Sequence, residues 1–257
     1  MTEKITPREI RRRLQAVATE KCRISMQRFF KEPVDSIGVR SADIVKIRKD
    51  AVKWFKSHGG LKAALKLAIP LWKSSIWEEH AVALGLLMGF EKEFDESTWK
   101  LCDKWVDGIT DWAGCDFLAA DIIGAHLDGH ADRRKALVKW AKSKNRWRRR
   151  AAAVSLVKHA RKGRYMEDVW RVASPLMPDE DDMVRKGVGW LLREAARMSP
   201  GEVVAFCRKH EHHANRLILR TASETMSEEW KAKLLGKMKS KATGPVAGAG
   251  ICGTDEY

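Results

Sequence analysis

Apolar residues recur three and four apart along nearly the whole chain from Thr6 to Lys241. Leu61, Ala64, Leu65, Leu67 and Ala68 keep that spacing, as do Val184, Val188, Leu191, Leu192 and Ala195. Residues so placed share one face of a 3.6-residue turn, so the pattern predicts amphipathic helices. β-branched alternation is scarce and no Asn-Gly hairpin turn occurs. Breaks fall at Gly59-Gly60, Gly163, Pro175, Pro178 and Ser199-Pro200-Gly201, residues that punctuate helices. The stretch 242–257, ATGPVAGAGICGTDEY, is small and aperiodic and reads as a flexible tail.

The helical pattern repeats. Segments opening at Trp77 (WEEHAVALGLL), Trp112 (WAGCDFLAADII), Trp147 (WRRRAAAVSLV) and Met183 (MVRKGVGWLLR) align without gaps, their starts 35, 35 and 36 residues apart. A weaker copy begins near Asn215. Helix pairs that cannot bury a face alone must stack on their neighbours. Ankyrin and tetratricopeptide signatures are missing, so the expected fold is an all-α, HEAT-like helical-repeat solenoid with a basic concave face. Residues 1–241 would form its single domain.

Charge narrows the partner. The 257 residues hold 49 Lys plus Arg against 34 Asp plus Glu, a net +15. Segment 133–164 alone carries fourteen cations and no acid, among them Lys144, Arg146, Arg148, Arg149 and Arg150. Evenly solvated surfaces mix both signs, so this run points to a polyanion, nucleic acid first. No stretch approaches the roughly 18 apolar residues of a membrane span, and MTEKITPREIRRRLQ lacks the apolar core of a signal peptide. A soluble, cytoplasmic protein is expected. The five cysteines are scattered, with no CxxC pair, and His210, His212 and His213 lack the HExxH spacing. Neither a disulfide framework nor a metal site is expected.

Repeat register places side chains together. The fourth position of each copy is His80, Cys115, Arg150 and Lys186; the fifth is Ala81, Asp116, Ala151 and Gly187. Asp116 thus interrupts a column of small residues. Trp112 and Asp116, four apart, share one helical face. Trp147 and Arg150 hold matching register in the next copy, and Trp190 follows in the one after. Stacked repeats would bring these five together. Indole faces attract cations by about 0.5–2 kcal/mol each, so the cluster suits a delocalised cation beside one carboxylate.

With these residues the chain resembles the DNA alkylation repair glycosylases of the AlkD type, a HEAT-like family. The resemblance covers about residues 20–225. It is carried by Leu71-Trp72, Glu78 with the Ala81–Met88 helix, Trp112-x-x-x-Asp116, Trp147-x-x-Arg150-Ala151-Ala152, and Gly189-Trp190-x-Leu192-Arg193-Glu194. It implies that Asp116 is the catalytic carboxylate, that Trp112 and Trp190 wall the lesion site, and that Arg150 lies beside the lesion backbone. Trp147 takes a supporting place. Counting back from Gly38-Val39, Phe29 stands where the family has a tyrosine, so an aromatic face remains without its hydroxyl. Ala113 and Gly114 replace the polar residues that usually follow the first tryptophan.

The chemistry of the residues agrees with that likeness. A purine alkylated at N3 or N7 is already cationic and leaves without a general acid. An anionic Asp116 can stabilise the oxocarbenium-like sugar and orient water, while Trp112 and Trp190 hold the charged nucleotide. Arg146, Arg148, Arg149, Arg150, Lys144 and Lys186 would contact phosphates, giving affinity without reading sequence. No cofactor is called for, and a monomer on alkylated double-stranded DNA is the expected unit. A DNA-binding scaffold for damaged or branched DNA, without turnover, would use the same array and face. Asp116 separates the two, because a carboxylate in a polyanion groove only repels its ligand. A helical-repeat protein-interaction adaptor, the third reading, predicts no affinity for DNA at moderate salt.

Overall fold

Short polar side chains start the helices. Thr6, Thr19, Asp95, Asp111, Asn145, Asp181, Asn215 and Ser227 stand in extended backbone and accept a bond from a first-turn N–H. Each thereby satisfies a donor that has no partner inside the helix. Four of these caps, Asp111, Asn145, Asp181 and Asn215, recur once per repeat.

The computed structural model describes residues 4–30 and 33–236, and among them no strand occurs. Three helices come first: α1 (Pro7–Val17), α2 (Glu20–Gln27) and α3 (Ser41–Ser57). Pairs follow: α4 (Gly60–Trp72) with α5 (Trp77–Met88), and α6 (Glu96–Val106) with α7 (Trp112–Asp116). Next come α8 (Ala131–Trp140) with α9 (Arg146–Val154) and its short continuation α10 (Val157–Ala160), then α11 (Met166–Ala173) with α12 (Asp182–Ala196). Last are α13 (Pro200–Lys209) with α14 (Arg216–Ser223), and α15 (Glu228–Leu235). The tail read at 242–257 lies outside the described residues.

The second helices of the pairs carry the aligned segments and form a row. α3 packs on α5, α5 on the stretch that prolongs α7, that stretch on α9, α9 on α12, and α12 on α14. Each repeat therefore leans chiefly on its neighbours, as in a helical-repeat array. The shared core is continuous, with Leu84, Leu86, Leu118, Ile122, Ala151, Ala153, Val188 and Leu191 fully or almost fully buried. Truncating one such leucine costs about 2–5 kcal/mol, because the neighbours only partly refill the cavity. Among the described residues no helix is long and apolar enough to cross a membrane.

Helix α7 runs on without a break. From Phe117 to Ile123 it continues with π-helical bonding, the looser winding that proteins tolerate in short stretches and often near functional sites. Asp116 sits at the change of winding.

Candidate active site

Asp111 fixes the start of α7. Its carboxylate accepts from Gly114 N–H at 2.8 Å and from the Trp77 indole at 3.4 Å. Burial raises its pKa, with the Gly114 N–H pulling the other way. One turn later Asp116 meets Arg150 of the next repeat in a two-pronged contact: Nε to Oδ1 at 2.8 Å and Nη2 to Oδ2 at 2.7 Å. Such fork-to-fork pairing fixes both position and plane of a carboxylate. The third prong of Arg150 donates to the Met183 carbonyl on α12. Gly187 makes room for it, since a Cβ there would stand 3.1 Å from Arg150 Cγ. The small residue in the repeat column thus serves the arginine of the preceding copy.

The pair is enclosed: the side chain of Arg150 is 6% exposed and that of Asp116 18%. Burial raises the Asp116 pKa, while Arg150 opposes the rise through its charge and its hydrogen bonds. For Arg150 burial works against the charge, and the Asp116 carboxylate outweighs it, leaving the guanidinium pKa above its ordinary value. Behind them the thiol of Cys115 donates to the Trp147 carbonyl, and burial pushes its pKa far up. A carboxylate oxygen offers two lone pairs, so each Asp116 oxygen keeps one beyond the fork for a water or a cation at the open side.

Trp112 is half-buried and its indole N–H donates to the Phe29 carbonyl at 3.2 Å. The ring beside it belongs to Phe30, centroid to centroid 5.7 Å, with Trp77 6.3 Å from Phe30 on another side. This corrects the expectation for Phe29, which is 69% exposed. The two residues follow the end of α2 in a turn, so only one ring can face Trp112. Next along the chain, the buried Glu78 accepts from Ser36 Oγ at 2.6 Å and from the N–H groups of Ile37, Gly38 and Val39. Gly38 is required there: its φ is +86°, and a Cβ would lie 2.3 Å from the Thr19 carbonyl oxygen. Glu78 therefore anchors residues 36–39, which lead into α3.

Trp147 and Trp190 differ. Trp147, given a supporting place in the sequence reading, is buried, with the Arg146 guanidinium 4.8 Å above its ring. Trp190 is half-buried on α12, one turn beyond Gly187.

The arginines of the basic run are paired with acids, while its Lys135, Lys139, Lys142 and Lys162 stay exposed. Arg148 donates to Asp103 and Asp107, Arg149 to Asp179, and Arg134 to Asp168; Arg146 pairs with Asp181 at 3.0 Å. Arg133 reaches Glu96, Lys158 Asp121 and Arg164 Asp128. The acids lie 30 to 45 residues away, in neighbouring repeats. Arg146, Arg148, Arg149 and Arg150 are thus ion-paired ties between repeats. Lys144 and Lys186 are exposed, with no carboxylate partner among the described residues.

A row of stacked helical pairs that carries, across one repeat boundary, a buried carboxylate–guanidinium fork beside tryptophan and phenylalanine rings defines a helical-repeat protein with a single-carboxylate site. Residues 10–226 match the DNA alkylation repair enzyme family, and the chain belongs to that family. A solved structure of a predicted DNA alkylation repair enzyme from Enterococcus faecalis is similar, with TM-score 0.72 and 14% identity over 82% of this chain and 97% of that one. At that identity the likeness speaks for the fold. A comparison with curated proteins found no match.

Proposed function

We propose that the chain is a monofunctional DNA glycosylase that hydrolyses the N-glycosidic bond of cationic N3- or N7-alkylated purines in duplex DNA. The observation that carries this reading is the Asp116–Arg150 fork, an anion oriented from both oxygens at the half-open end of α7. In the reaction the C1′–N bond breaks and its electron pair leaves with the base, neutralising the alkylated ring. The positive charge that develops on the sugar faces Asp116. Water then adds at C1′ and loses its proton toward the same carboxylate.

Trp112, with Phe30 alongside, and Trp190 hold the charged nucleotide by face contacts. Phe29 contributes its carbonyl, which holds the Trp112 indole. Lys144 and Lys186 take phosphates, while Arg146, Arg148, Arg149 and Arg150 order the surfaces that present them. The HEAT-like array works as one domain and as a monomer on chromosomal DNA of the nucleoid, and the chemistry calls for no cofactor. The test is release of 7-methylguanine from a methylated duplex by the purified protein, beside Asp116→Asn. Release that disappears in the variant is expected. Tight duplex binding with no release of 7-methylguanine or 3-methyladenine would support the non-catalytic DNA-binding reading instead.

A further inference from the structure

The paired arginines of 133–164 leave open which cations meet the phosphates, and the row of second helices offers a different set. Between α3 and α5 lies an open groove of about 450 Å³, walled by Arg48, Lys49, Lys53 and Lys56 from α3 and floored in part by Gly85 of α5 and by Gly89 just past its end. No carboxylate lines it, and none of the four cations has a carboxylate partner among the described residues. Lys49, Lys53 and Lys56 are exposed and stand four and three residues apart, so they share one helical face. Like charges one turn apart repel, and nothing within the groove relieves them.

Two glycines bring α3 and α5 together. A Cβ on Gly85 would lie 2.4 Å from Arg48 Cδ, and one on Gly89 2.5 Å from the Val52 methyls. The Arg48 stem therefore lies flat across α5, and its guanidinium reaches 5.8 Å from the Phe117 ring centre. Phe117 directly follows Asp116. Arg48, which walls the groove, thus also touches the helix turn that carries the carboxylate.

We propose that this groove binds the phosphodiester backbone of the DNA strand that passes Asp116, with Lys49 and Lys53 each neutralising a phosphate and Arg48 reaching the backbone nearest the lesion. The proposal rests on the DNA-repair reading above. It moves the principal phosphate site from the arginine run to α3.

The test is equilibrium binding of the full chain to unmodified duplex over a series of salt concentrations. Wild type is compared with Lys49→Ala/Lys53→Ala and with Lys62→Ala/Lys66→Ala, which removes the same charge from exposed positions of α4. Each phosphate contact adds about 0.9 to the slope of log K against log salt. The groove variant is expected to lose about 1.8 of slope and affinity by some tens of fold at 0.1 M salt, and the α4 variant to stay near wild type. Equal effects of the two variants, or no change in either, would overturn the proposal. Measuring 7-methylguanine release by wild type alongside separates the two readings. Release with an unchanged slope fails the groove alone, and a lowered slope without release upholds the groove while failing the glycosylase.

Discussion

Replacing both members of the Asp116–Arg150 fork separates what the pair does for the fold from what Asp116 does for the reaction. At an effective dielectric constant near 20, opposite charges about 4 Å apart attract by about 4 kcal/mol. Removing one partner of a buried pair costs about 3–5 kcal/mol, because the survivor stays buried and uncompensated. Arg150 is the more enclosed of the two, so Asp116→Leu is expected to lower the unfolding free energy by about 3–5 kcal/mol, with Arg150→Met costing less. The double variant leaves neither charge behind and should return to within about 1 kcal/mol of wild type, giving a coupling energy of at least about 3 kcal/mol in magnitude. Urea unfolding followed by tryptophan fluorescence reads the stabilities. Base release from a methylated duplex, assayed on the same preparations, should fall about a hundredfold or more wherever Asp116 is lost, in the stable double variant included. A double variant that regains stability and also releases base would refute the reasoning, since the carboxylate would then be a structural tie only.

Three further outcomes follow from the geometry. Phe30→Ala should slow base release more than Phe29→Ala, because the Phe30 ring faces Trp112 and the Phe29 ring faces solvent; equal losses would remove Phe30 from the site. His126 is buried and stacked 4.6 Å from Phe94, and burial, with Arg133 beside it, lowers its pKa to about 4. The unfolded chain takes up that proton below about pH 6.5 while the folded one resists until about 4. Stability should thus decline across that window as pH falls, by roughly 3 kcal/mol in all; thermal melts in which His126→Leu keeps the wild-type pH slope would count against it. Among the described cysteines only Cys22 is partly open, and burial pushes the thiols of Cys102 and Cys207 up to about 12. In the folded protein a thiol reagent should therefore leave Cys102, Cys115 and Cys207 unlabelled by mass spectrometry, and their rapid modification would contradict the packing.

The repeat was legible because its cause is local and recurrent. Ala151 to Ala153, Val188 and Leu191 are buried by the row of second helices, and their type shows in each copy. Asp116 stood out against the same column, where Ala81, Ala151 and Gly187 are small. The pairing of the arginines was not legible by composition, since Asp103, Asp179 and Asp181 lie outside the acid-free segment that was counted. Searching for opposite charges about one repeat apart would have found Asp116 with Arg150 and Arg134 with Asp168, each 34 residues apart. The once-per-repeat caps from Asp111 to Asn215 were a second unread signal. Phe30 was missed by one residue because counting from Gly38 cannot resolve how a turn after α2 aims its rings. The π-helical winding after Asp116 has no mark in the pattern of FLAADII, which fits an ordinary helix equally well.

The fork between Asp116 and Arg150 also bears on how such a protein can change in length. Arrays of this kind grow by duplicating a unit, and a copy added at either end meets only surfaces that repeat architecture already supplies. A copy inserted between the units that hold Asp116 and Arg150 would instead part the acid from the arginine that it meets through two hydrogen bonds. An inserted unit would therefore have to carry the same acid or the same arginine in register, a demand that the outermost units, which hold neither member of the fork, do not make.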